Sequence, residues 1–292
     1  MSKADAESGA LVDLGLDGRV ILVTGAGRGL GRSYVTTLAR HGAQVVVHDG
    51  GVDDEGNAPD PDCAAQVAEE IAAAGGTALA VTEVLTDAES CRRVVAATLD
   101  RFGRLDGLIH NAGLVAWRDP TKVDQALYDR LSAVSSDAAF WLCHAVLPAM
   151  RSQGYGRIVL STSGWALTPS TGSERLVLYC LGKGAQYGLG MALANAAGDP
   201  GILTNLIAPV ANTRMYSGDV PPGRLRPEWV AGAVAWLASP ACQVSGCLVR
   251  AADGTVTLSQ MTDVASRTLG EAAADPLATG AALTEMAKSA AS

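Results

Sequence analysis

The sequence predicts an α/β fold: a doubly wound parallel sheet of about seven strands with helices on both faces. Three observations predict it. From Arg19 onward, short apolar runs alternate with segments of helical length. The runs are nearly continuous in apolar residues, as strands covered on both faces require. No shift in composition marks a second domain. Of the 292 residues, 48% are hydrophobic and 18% charged, enough for a sizeable core, and Ala and Gly suit close helix–sheet packing.

Residues 1–18 read as a leader. The first strand, "RVILVTG", runs into "VTGAGRGLG", where Gly25, Gly29 and Gly31 form a G-x-x-x-G-x-G spacing before a helix over 30–41. Glycines there permit a tight turn and let backbone N–H groups meet a pyrophosphate at the positive end of the helix. A Gly-rich turn without a ligand is the alternative; the strand–loop–helix context favours binding. This makes the chain a single Rossmann domain. "AQVVVHD" is the second strand, and Asp49 ends it, eighteen residues beyond Gly31. A carboxylate there can accept both ribose hydroxyls of NAD and repels the 2′-phosphate of NADP. Arg28 argues the other way, since a basic side chain in the loop can meet that phosphate. NAD is the expected cofactor and NADP the second choice.

"GGVDDEGNAPDPD" (50–62) is a loop by its Gly, Pro, Asn and Asp content. A helix over 62–74, the strand "ALAVTEV" and a helix over 87–102 follow. Then come "LDGLIHN", a helix over 123–152, "GRIVLSTS", a helix over 176–198, "ILTNLIA" and "CLVRAAD". "LYCLGKG" puts Tyr179 and Lys183 four apart, on one helical face. A turn of a core helix and half of a proton-transfer site both fit that spacing. The domain boundaries are a leader over 1–18, a dinucleotide-binding catalytic domain over 19–255 and an Ala-rich C-terminal extension over 256–292.

A net charge of −8 argues against nucleic acid and against an anionic membrane surface. The six cysteines show no C-x-x-C and no zinc spacing, and the four histidines no metal pattern, so no metal site is expected. The cysteines suit a reducing, cytoplasmic setting. Neither a signal peptide nor a membrane-spanning run is present in the sequence.

With "HNAG" (110–113), "GRIVLSTSG" (156–164) and the Tyr179-x-x-x-Lys183 pair, the chain resembles the short-chain dehydrogenase/reductase family over residues 15–255. "VVVHDGG", "IAPVANTRM" and "LRPEWVAGAVAWLAS" are similar to its branch of peroxisomal multifunctional (R)-3-hydroxyacyl-CoA dehydrogenases and their bacterial relatives. The resemblance implies an oxidoreductase that moves a hydride between NAD(H) and a secondary alcohol or ketone. A 3-hydroxyacyl thioester, a steroid and a polyketide-like ketone are the substrates in view. An NADP-dependent biosynthetic ketoreductase is the alternative within the class. A nucleotide-binding member with a non-redox role, in cyclisation or regulation, is the alternative outside it.

The resemblance also implies residue roles. Tyr179 is the general acid/base; a free tyrosine, with a pKa of about 10, is too weak a base at neutral pH. Lys183 lowers that pKa and holds the nicotinamide ribose. Ser163 stabilises charge on the substrate oxygen. Gly25, Arg28, Gly29, Leu30 and Gly31 form the phosphate loop, and Asp49 meets ribose. Val84 and Leu85 border adenine; Asn111, Ala112 and Gly113 line the cleft; Thr213 faces the carboxamide. Family members assemble as dimers or tetramers, which implies a homodimer or homotetramer here through helices 123–152 and 176–198.

Several positions depart from the family. Its catalytic asparagine, part of a proton relay, falls at Ser135, which can hydrogen-bond there but reaches less far. Its adenine-binding aspartate falls at Val84. "STGSER" (170–175) reads as an insertion bordering the substrate, and the lid between Thr213 and Pro227 is short, which suits a long or bulky substrate.

Overall fold

The chain is seen in a computed structural model that describes residues 13–57, 60, 62–168, 173–195, 199–216, 218–260, 265–268 and 273–290. The first twelve residues of the leader, residues 170–172 of the expected insertion and residues 196–198 of the expected helix lie outside them. Two compact units divide the chain, 1–258 and 259–292.

The first unit alternates strand and helix: β1 (Val20–Thr24), α1 (Gly29–Arg40), β2 (Gln44–His48), α2 (Asp62–Ala73), β3 (Thr77–Val81), α3 (Ala88–Phe102) and β4 (Gly107–His110). After α4 (Gln125–Ser132) and α5 (Ala138–Gln153) come β5 (Gly156–Ser161), the short α6 (Gly164–Leu167), α7 (Val177–Ala194), β6 (Ile202–Val210), α8 (Glu228–Leu237), β7 (Leu248–Ala252) and β8 (Thr255–Ser259). The second unit contains α9 (Pro276–Ala290).

The strands lie in the order β3-β2-β1-β4-β5-β6-β7-β8, parallel from β3 to β7. The order reverses between β1 and β4, which opens a crevice at their carboxyl ends. Thr24 ends β1 in register with His48 of β2 and His110 of β4, so three strand ends meet there.

Side chains alternate across the sheet, as the two-residue period of a strand demands. On β1, Ile21 and Val23 pack with Tyr34, Val35 and Leu38 of α1 and Val230 and Val234 of α8. Val20 and Leu22 point the other way, into a layer with Val94 and Val95 of α3 and Leu142, Val146 and Met150 of α5. This double covering explains the continuous apolar runs.

Two elements differ from expectation. The sheet has eight strands rather than about seven, because Asp253 and Gly254 turn the chain back into β8. Both have positive φ, 49° and 79°, which matches the twist of a two-residue hairpin and makes β8 antiparallel to β7. β8 thus takes up the first residues of what reads in sequence as the C-terminal extension. The expected helix over 123–152 runs from Gln125 to Gln153 but carries a π turn over Ala133–Asp137, between α4 and α5. No residue there is a helix breaker, so tertiary packing decides the π turn.

The amino ends of the strands are stapled by charge. Asp106, wholly buried, accepts from Arg19 at 2.9 Å, Arg104 at 2.6 Å and the Val20 N–H at 3.0 Å. Burial works to raise its pKa, but the two guanidiniums and the N–H outweigh burial and hold it below the usual carboxylate range. The Tyr155 ring lies between the guanidiniums of Arg19 and Arg157, 4.3 and 4.5 Å from its centroid.

Replacing Asp106 with Asn should therefore cost about 3 kcal/mol at neutral pH, since a buried charge network loses its anion. A depressed carboxylate pKa contributes stability above the unfolded value and loses it as pH falls through the folded value. Denaturant melts of both proteins should differ fully at pH 7 and converge below about pH 4. A gap that persists undiminished at pH 3 would refute the ionic origin.

Candidate active site

At the carboxyl end of β1 the backbone comes so close to α1 that side chains are excluded. A Cβ on Gly31 would stand 2.0 Å from the Gly25 carbonyl oxygen. Gly25 and Gly29 have positive φ, 65° and 52°, a conformation that glycine adopts without strain. The loop therefore presents bare backbone to a cleft of about 320 Å³.

Asp49 reaches into that cleft from the end of β2. Its two oxygens accept from the Gly27 N–H at 2.9 Å and the Gly51 N–H at 2.8 Å. Arg28 lines the same cleft but is ion-paired with Asp60 at 2.6 Å. Leu30, Val84, Leu85, Asn111, Ala112, Gly113 and Thr213 also line it. Gly31 lies beneath the turn rather than in the wall. Arg214 latches the segment after Thr213 onto the 50–57 loop, through Asp54 at 2.8 Å and the Val52 carbonyl at 2.9 Å.

A second cleft of about 390 Å³ adjoins the first and shares Leu30, Asn111, Gly113, Thr213 and Met215 with it. Ser163, Tyr179 and Lys183 open onto it. Ser163 follows β5, and its hydroxyl accepts from the Trp165 N–H at 3.3 Å and stands near enough to the Tyr179 phenol to act on its pKa. Contrary to the expectation that Lys183 lowers it, the Tyr179 pKa is raised, because burial outweighs the opposing effect of the Ser163 hydroxyl. Lys183, one turn further along α7, is 5% exposed, with Nζ 5.9 Å from the Tyr179 ring centroid. Burial pushes its pKa down to about 8. A Cβ on Gly113 would lie 3.3 Å from that Nζ, so glycine leaves room for the ammonium group.

Beneath both clefts lies the Thr24 hydroxyl. It accepts from the N–H groups of Asn111 at 3.2 Å and Ala112 at 3.1 Å. With both lone pairs used, its proton goes to His110 Nδ1 at 2.9 Å. His110 is thereby the tautomer with its proton on Nε2, facing the backbone of Val134 and Ser135 without a hydrogen bond of good geometry. Burial, then the charge of Lys183, pushes the His110 pKa down to about 3, so the ring stays neutral. The Asn111 amide completes the junction by donating to the Thr24 and Gly25 carbonyls.

Ser135 sits in the π turn, buried, its side chain packed where a Cβ on Gly182 would meet it at 2.5 Å. A π turn frees backbone carbonyls from helical pairing. That of Ser135 accepts from the Gln186 amide at 2.8 Å. The structure thus brings Ser135, Ser163, Tyr179 and Lys183 around one end of α7.

Sequence reasoning missed Thr24, Gln186, Arg214 and Arg250. Gln186 carries a signal, since it shares a helical face with Lys183 three residues earlier. Arg214 follows Thr213 directly, yet its partners come from a distant loop. Arg250 lies inside a strand and carries no motif.

The short chain dehydrogenase family model matches residues 19–219. The chain belongs to the short-chain dehydrogenase family. Over 248 residues it is 34% identical to the peroxisomal multifunctional enzyme type 2 of Drosophila melanogaster, covering 84% of this chain but 40% of that enzyme's length. It is 32% identical over 236 residues to the L-rhamnose 1-dehydrogenase (NAD(P)(+)) of Azotobacter vinelandii, with 76% of this chain and 90% of that enzyme covered. A short chain dehydrogenase structure from Mycobacterium avium superposes with a TM-score of 0.80 at 29% identity, over 94% of this chain and 96% of that one.

This short-chain dehydrogenase is accordingly an oxidoreductase, and its family uses a nicotinamide dinucleotide, NAD or NADP. The residues present fit such a group. The bare glycine turn suits a pyrophosphate, a carboxylate stands where ribose hydroxyls need an acceptor, and the cleft continues to Lys183. No helix among the described residues is long and apolar enough to cross a membrane.

Proposed function

We propose that this dehydrogenase interconverts a secondary alcohol and a ketone with NAD(H), with Tyr179 as the proton-transfer group. One observation carries the reading. Ser163, Tyr179 and the buried Lys183 line one cleft, which shares five residues with the cleft at the glycine turn. When bound, the dinucleotide supplies or accepts the hydride.

The protein's own groups do the rest. The Ser163 hydroxyl orients the substrate oxygen and hydrogen-bonds the charge that develops on it. Tyr179, its pKa raised by burial, holds its proton at neutral pH and donates it to that oxygen as the ketone is reduced. Lys183 lines the second cleft beside Gly113, which both clefts share, and there an ammonium can hold ribose hydroxyls and stabilise a tyrosinate left after proton transfer. Ser135, on the far side of Lys183, belongs to the path that returns the proton. Asn111, Ala112 and Gly113 shape the wall, Thr213 faces the nicotinamide end, and Val84 and Leu85 contact adenine.

Six unpaired thiols support a reducing compartment such as the cytoplasm. Phe140 on α5 is 49% exposed and Leu181 on α7 is 51% exposed, which supports a homodimer or homotetramer through these helices.

Cofactor choice is tested by titration. Asp49 repels a 2′-phosphate while Asp60 occupies Arg28, so NAD(H) should bind at least about tenfold more tightly than NADP(H). Equal or tighter NADP(H) binding would overturn this part of the reading.

Catalysis is tested by substitution and pH. Tyr179→Phe should retain the fold and lower turnover of a confirmed ketone by about 10²–10⁴-fold. Lys183 is an ammonium below about pH 8 and neutral above it. Ketone reduction should therefore hold steady at low pH and decline as pH rises through that value, and Lys183→Met should be slow without that limb. A limb unchanged in Lys183→Met, or near wild-type hydride transfer by Tyr179→Phe, speaks against the mechanism.

Assembly is tested by sedimentation. The wild type should be an oligomer at micromolar concentration, and Phe140→Glu should dissociate it. A stable wild-type monomer refutes the interface.

A further inference from the structure

We propose that Arg250 binds a carboxylate on the substrate, so that the enzyme acts on hydroxy acids and their oxo acids. The proposal rests on the reading of Ser163 and Tyr179 as the reacting end of the cleft, and it adds the substrate class.

Arg250 lies on β7, paired with Ala208 of β6. Two residues earlier, Leu248 buries in the core layer that includes residues of α5 and α7. The two-residue period puts Arg250, the middle residue of β7, on that same face, where it lines the substrate cleft. Among the described residues every other arginine has a hydrogen bond, an ion pair or a ring contact. Arg250 has none. Arg250 is exposed between buried Val249 and Ala251, so its guanidinium is open to a ligand that enters the cleft.

Its place explains it as a binding group. A Cβ on Gly164 would stand 3.3 Å from Arg250 Nη2, so the guanidinium lies against the backbone that follows Ser163 directly. An anion held there is within a short chain of atoms from an oxygen held by Ser163 and Tyr179. No Asp or Glu lines the cleft, although the protein carries a net charge of −8, and Lys183 is its other cation. Clefts of one sign concentrate the opposite charge. The planar fork of a guanidinium matches a carboxylate through two parallel hydrogen bonds. Trp165, Val210 and Met215 leave apolar wall for the body of the substrate.

The test uses the full chain with NADH and three probes, 4-oxopentanoate, 5-oxohexanoate and 6-oxoheptanoate, each beside its methyl ester. The ester keeps the ketone and removes the charge. The wild type should prefer at least one acid to its ester. Arg250→Gln should lower kcat/KM for that acid by about 10–100-fold relative to the ester, mainly through KM, and Arg250→Lys should recover part of it. Esters reduced as well as every acid by the wild type, or acid and ester losing equally in Arg250→Gln, overturn the proposal. Ester turnover reports on the Ser163–Tyr179 reading separately. If no probe is reduced, calorimetry of the acids on the protein with NAD⁺ decides. Binding lost in Arg250→Gln keeps the anchor and removes the proposed chemistry; no binding of acid beyond that of ester removes the anchor.

Discussion

The hydroxyl of Thr24 is the constraint on which the site depends. It has three hydrogen-bonding positions and all are used, two by the backbone after β4 and one by His110. Those bonds tie the end of β1 to the turn over Asn111 and Ala112. The same turn carries Gly113, whose missing side chain admits the Lys183 ammonium. They also set the tautomer of a buried, neutral imidazole that faces the π turn carrying Ser135. One saturated group thus locates the floor of both clefts, because a buried donor or acceptor left unpaired would cost about 1–3 kcal/mol.

Around that floor, charge is distributed with a clear division. Most arginines are committed to structure: Arg19 and Arg104 to buried Asp106, Arg157 to backbone carbonyls, Arg28 to Asp60 and Arg214 to Asp54. Asp49 faces the first cleft, and Arg250 and Lys183 face the second. The overall negative charge therefore says little about the ligand. The local field at Arg250 and Lys183 has the opposite sign.

The alternation of apolar strands and helices was legible because both faces of the sheet are covered, which makes each strand a continuous apolar run. The glycine turn, Asp49, Ser163, Tyr179 and Lys183 were legible as motifs because they lie at strand ends or on one helical face, where spacing along the chain maps directly onto space. β8 was missed although Asp253-Gly254 is a hairpin signal, since the strand after it is exposed and lacks the apolar run. The π turn before α5 left no trace in the sequence, because the Ser135 carbonyl finds its partner, Gln186, 51 residues away.

What the sequence by itself determined was the fold class, the order of its elements and the residues at the ends of strands. These follow from local periodicity and from the steric freedom of glycine, both properties of neighbouring residues. Only the tertiary structure decided the electrostatic state and the company of those residues. Burial raises the pKa of Tyr179 and lowers that of Lys183, and packing frees Arg250 while it occupies Arg28. Desolvation and pairing depend on atoms brought together from distant parts of the chain, and no window of sequence contains them.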